Sequence, residues 1–177
     1  LSNEPVSGDS YSTTQIDSVN IVPKNTGSNQ VWNFNGMNIL TNSQLITYTN
    51  AGSVPASSLY PGSTVAMLRS GGGEVDFYKS SANWEFMGNY DSAGPNVLTL
   101  TNTAVFAAWP ISYNSTNMDV ASGAQTSGTT ITTLNGSISY TAQGNGTVIA
   151  PGGQIFTNCL QVVTTITISL VRGVMPS

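Results

Sequence analysis

No stretch of this chain repeats apolar residues at i, i+3, i+4 and i+7 among good helix formers, so helices are excluded as its main scaffold. Gly, Pro, Asn and Ser instead interrupt it about every 8–12 residues, the spacing of a sandwich or barrel. Thr, Val, Ile, Tyr and Phe fill the intervals and fit a pleated surface. The end of the chain is the clearest case. Ile166, Ile168 and Leu170 alternate with Thr165, Thr167 and Ser169, which predicts a strand with one buried face and one hydroxyl face.

The pattern predicts an all-β, mostly antiparallel β-sandwich of about 9–12 strands, with little or no helix, as one domain over residues 1–177. Strands are expected over 11–22, 30–34, 43–49, 64–69, 74–79, 84–90, 96–102 and 105–109. Gly71-Gly-Gly reads as a flexible hairpin connection, and 112–128 as a long polar loop. Beyond it, 129–140 reads as a strand with a break at Asn135-Gly136. Gly144-Asn-Gly then leads into a strand over 147–149, and 154–171 is a long final strand or a bent pair.

Charge excludes whole classes of function. Asp, Glu, Lys and Arg make up 7% of the chain, against roughly 25% in an ordinary domain. Ser, Thr, Asn and Gly supply close to half of it. The four basic residues, Lys24, Arg69, Lys79 and Arg172, cannot form the cationic track that nucleic acid requires. They are equally too few for an anionic membrane surface. No apolar run reaches the 18 or so residues that span a bilayer, so no membrane insertion is expected. With no histidine, Ser-His-Asp and Cys-His catalysis and imidazole metal sites are absent. Cys159 is single, so there is no intrachain disulfide, and it reads as a buried, inert thiol.

Several segments resemble, in order, a family of uncharacterised secreted Bacteroidota proteins. Residues 5–11, Pro-Val-Ser-Gly-Asp-Ser-Tyr, and 27–34, Gly-Ser-Asn-Gln-Val-Trp-Asn-Phe, look like the start of their N-terminal β-domain. Asp76-Phe-Tyr-Lys followed by Trp84-Glu-Phe-Met-Gly resembles one of their hairpins. Residues 144–162, with Pro151-Gly-Gly and Asn158-Cys-Leu-Gln-Val, resemble a segment further on. The resemblance implies export by the type IX pathway and a secreted or cell-surface location. The C-terminal sorting domain of such proteins is missing here. The chain also opens at Leu1 without an initiator Met, so a processed form is expected. Asp17-Ser18-Val19 and Asp91-Ser92-Ala93 match the O-glycosylation pattern of that phylum, making Ser18 and Ser92 candidates. The sequons at Asn114, Asn135 and Asn145 read as turn chemistry.

Three constellations could carry a function. Glu74 and Asp76 at i and i+2 share a strand face, and Glu85 lies on the expected partner strand. Such carboxylates suit a Ca²⁺ site or a glycosidase pair, or merely a solvated face with Lys79 as counter-charge. Arg69-Ser-Gly-Gly-Gly-Glu is no phosphate loop, because it lacks the Gly-Lys-Ser/Thr ending. Among the three tryptophans, Trp32 and Trp109 read as core and Trp84 as an exposed platform for sugar stacking. The last strand, with Thr164, Ile166, Ile168, Leu170 and Val171, carries no charge before Arg172 and invites edge pairing. The expectation is a non-catalytic structural or adhesive protein that assembles with copies of itself by edge-strand or donor-strand pairing. A carbohydrate-binding module is the alternative. No cofactor is expected.

Overall fold

The computed structural model describes residues 4–16, 25–94 and 96–174. They form one ten-stranded, mostly antiparallel sheet, with two single-turn 3₁₀ segments as its only helical structure among the described residues. In chain order the strands are β1 (Ser10–Ile16), β2 (Gly27–Asn33), β3 (Ile39–Asn50), β4 (Val65–Arg69) and β5 (Glu74–Ser80). There follow β6 (Asn83–Asp91), β7 (Asn96–Ala108), β8 (Thr116–Ser127), β9 (Thr130–Ile149) and β10 (Ile155–Val174). The spatial order is β1-β3-β4-β5-β6-β7-β8-β9-β10, and β2 pairs in parallel with the far half of β9.

The two layers of the sandwich are parts of this one sheet. The β7–β8 ladder ends at Asn102, while β7 stays paired to β6 as far as Ala108 and β8 to β9 along its whole length. Side chains replace the ladder where the strands part. Asn102 Nδ2 donates to Val120 O, and Val105 N–H donates to Asp119 Oδ2 at 2.8 Å. The sheet thereby folds over and closes a core. Ile46, Tyr48, Val65, Met67, Trp84 and Ala107 on one layer meet Tyr140 and Ala142 of β9. On the outer face of β4–β6, Ala66, Val75 and Phe77 are covered by the 51–64 connection. Tyr60 from that connection stacks on Phe77 with ring centroids 4.1 Å apart.

Three sequence expectations change here, each through a glycine. Part of the expected 112–128 loop is β8, whose outward residues Met118 and Val120 are exposed while Gly123 faces inward. A Cβ at Gly123 would collide with Thr99 O, so the inner face of β8 takes small residues and shows no apolar alternation. The expected break at Asn135-Gly136 is uninterrupted β9, paired to β8 and β10. Gly144-Asn-Gly also lies within β9. A Cβ at Gly146 would collide with Gln30 O, so this glycine admits β2 to the sheet and makes no turn. The expected strand over 11–22 is described only as far as Ile16; the remainder lies outside the described residues.

Candidate functional site

The final strand is the most unusual surface of the molecule. β10 runs antiparallel to β9 from Ile155 to Val174, and its other side has no strand neighbour among the described residues. At about 3.3 Å per residue this open edge is about 65 Å long. It holds no charged residue and no proline before Arg172. Natural edges are usually short, charged or kinked to prevent pairing; this one is long, carries no charge before Arg172, and has its register slips confined to its first third, leaving 162–174 regular.

The alternation on β10 is as expected, but its apolar face is not buried. Ile166, Ile168 and Leu170 pair with Ile138, Gly136 and Leu134, on the side facing the cluster of Leu100, Ala104 and Ile138. The opposing layer stops short of β10, and the three side chains stay 53%, 54% and 62% exposed. Ile166 and Ile168 rim an apolar cavity of about 140 Å³ that Leu100 and Phe106 also line. Thr164 shares this face and is exposed. Val171, 65% exposed, points to the other side with Thr165, Thr167 and Ser169. All five expected assembly residues are therefore solvent-facing on one strand. Four share one face and Val171 lies on the other.

The carboxylates separate into two structural ion pairs. Glu74 and Asp76 do share a face, and their partner is Arg69 across the hairpin, at 3.3 and 2.7 Å. Asn89 Nδ2 also donates to Glu74 Oε1. Asp76 is the one buried charged residue among those described, and burial pushes its carboxyl above the ordinary range against the pull of Arg69. Burial pulls the Arg69 guanidinium down, but Asp76 and Glu74 hold it up. Burial wins on Asp76 and the pairing wins on Arg69 because the Asp76 side chain is deeper, 7% exposed against 29%. Glu85 faces the other side of the strand, pairing with Lys79 at 3.3 Å and accepting from Thr103 Oγ1 at 3.0 Å. The three expected calcium ligands therefore do not converge. No group of three His, Cys, Asp or Glu among the described residues could hold a metal.

Trp84 is a correction. It is 8% exposed, stacked on Tyr78 at 4.4 Å and edge-on to Tyr48 at 5.9 Å, so it forms core and no platform. It follows a turn, but its register opposite Ser80 turns it to the inner face, beside Tyr78. Trp32 is buried, and Trp109 packs partly buried against the same core. Ser92 is exposed in the β6–β7 turn, where its hydroxyl donates to Gly73 O at 3.3 Å; Ser18 lies outside the described residues. Asn114 takes a left-handed turn conformation (φ 70°), whereas Asn135 and Asn145 lie within β9, not in turns. Cys159 is half-buried where a buried thiol was expected, because it lines a cleft beside a bulge in β10. That cleft was not legible in the sequence, since residues far apart in the chain build it.

No family model, curated protein or solved structure matches the chain. Among the described residues, its fold and surface define an all-β protein with one long open edge that carries no charge before Arg172. No helix among the described residues is long and apolar enough to cross a membrane.

Proposed function

We propose that this chain is a structural or adhesive subunit outside the cell that works by self-association along β10, without catalytic turnover. One observation carries the reading: a 20-residue edge strand with no charge before Arg172, bearing an exposed apolar row that continues the core. Pairing with a second copy satisfies its open backbone groups and covers Ile166, Ile168 and Leu170 in one step. An edge about 65 Å long and about 10 Å wide offers about 650 Å² per partner, close to the ~800 Å² of a stable interface. The small number of charges leaves little to desolvate on contact. The resemblance to secreted Bacteroidota proteins supports the extracellular placement.

Symmetry decides the product. β10 paired with β10 of a second copy gives a closed dimer. β10 paired with β1, the equally uncharged opposite edge, gives an open filament. Sedimentation velocity across a concentration series, with electron microscopy of the same samples, tests this. Dimers or filaments that grow with concentration are expected. A protein monomeric at every concentration, with no filaments on grids, refutes it.

A further inference from the structure

We infer that the cleft between β2, β9, the start of β10 and the 109–115 connection binds a neutral saccharide. Its volume is about 480 Å³, within the range of about 300–1,000 Å³ usual for small-molecule sites. Among the described residues, none that lines it is charged. Its polar groups are amides and hydroxyls, and several have no partner among the described residues. The side chains of Thr147, Thr157, Asn158 and Tyr113 make no hydrogen bond within the described chain. Asn145 Oδ1 accepts from Asn29 N–H at 2.9 Å, which leaves its NH₂ group to donate outward. Gln30 Nε2 donates to Ser28 O at 2.9 Å, which leaves its carbonyl oxygen to accept.

A set of neutral donors and acceptors matches vicinal sugar hydroxyls, each of which both donates and accepts. A phosphate or carboxylate would find no counter-charge among the described lining residues, and an apolar ligand would strand the amides. Tyr113 supplies the aromatic surface against which a sugar ring can pack.

The walls are also held in costly conformations. Asn29 on β2 (φ 57°) and Asn158 on β10 (φ 58°) are left-handed non-glycine residues. Each sits where its strand slips register against β9, and both line this one cleft. Such conformations cost of order 1–3 kcal/mol each and concentrate at functional sites. Bulges likewise re-aim side chains beside binding sites. The cleft uses residues 157–160 of β10 and the assembly row begins at Thr164, so the inference does not rest on self-association.

Cys159 lines the cleft and is the only thiol in the chain, so its alkylation rate reports occupancy. The full chain would be titrated to about 10 mM with neutral trisaccharides of glucose, mannose, xylose and N-acetylglucosamine, and with an acidic trigalacturonate. Amide resonances and the rate of Cys159 alkylation by iodoacetamide would be followed. At least one neutral trisaccharide is expected to shift Asn145, Thr157 and Asn158 and to slow alkylation severalfold, while the acidic one does neither. N158G keeps the left-handed backbone available and removes the side chain with its amide group. It should weaken binding about tenfold, as should Y113A, with the remaining amide spectrum unchanged. Silence from every neutral trisaccharide, shifts that map outside the cleft, equal binding of trigalacturonate, or N158G binding like the parent would each overturn the inference.

Discussion

Ile168→Lys separates assembly from folding. Ile168 is 54% exposed and pairs with Gly136, which has no side chain to lose contact with. A lysine stem can lie along the same surface with its ammonium in water, so the monomer should lose under about 1 kcal/mol. That corresponds to a fall in Tm of less than about 4 °C for a chain of this size. The assembled state is affected far more. Burying a whole Ile or Leu is worth about 1.5–3 kcal/mol, and somewhat over half of Ile166, Ile168 and Leu170 is still exposed. Covering that remainder contributes about 1–1.5 kcal/mol per residue. In a two-fold contact both copies carry the change, so I168K removes about 2–3 kcal/mol and weakens association about 30- to 150-fold. Sedimentation velocity reads the association, and a thermal melt at monomeric concentration reads the fold. Association equal to the parent's would refute an interface on this row. A Tm loss of 10 °C or more would show that Ile168 is core and that the exposed-face argument fails.

Other consequences can be checked directly. Arg69→Met leaves Asp76 buried without its partner and should cost about 3–5 kcal/mol in urea unfolding, with part recovered by adding Asp76→Asn; a loss below about 1 kcal/mol would mean the pair does not hold this end of the sheet. Gly146→Ala should push β2 off β9 and free Trp32 to solvent, seen as a red-shifted emission; an unchanged spectrum and stability would refute the close-approach reading. Burial raises Tyr60 from 10.0 to about 12, and pushes Tyr48 and Tyr78 upward as well. A raised folded pKa means that the Tyr60 contribution to stability is whole below pH 10 and is lost as pH climbs through about 12. An ultraviolet titration should therefore show late-ionising tyrosines whose release coincides with alkaline unfolding; a single reversible step near pH 10 with the fold intact would refute it.

Much of the architecture was readable because a strand facing one core writes its period into the sequence. Alternation predicted β3, β5, β6 and β10 to within a few residues, along with the Gly71-Gly-Gly hairpin. β8 was not readable, because its inner positions accommodate the close approach of β7 and hold Gly123 where an apolar side chain would ordinarily sit. Glycines 136, 144 and 146 resembled turn residues for the same reason: each makes room for a neighbouring strand. Trp84 was misplaced because position after a turn does not determine register, and register chooses the face. The carboxylates were correctly placed on one strand face for Glu74 and Asp76, but their counter-charge is Arg69, since Lys79 projects from the opposite face.

By itself the sequence determined the class of fold and the chemical character of the surface, because composition and period are local properties of the chain. It excluded histidine chemistry and a phosphate-binding track, and it marked the last strand as alternating and free of charge before Arg172. Tertiary structure decided that this strand ends the sheet, among the described residues, with both faces exposed. It also decided that Asn29, Asn145 and Asn158, more than a hundred residues apart at the extremes, stand around one cleft. Exposure and convergence depend on which strands become neighbours, and that is set by register and by the fold of the sheet at β7–β8.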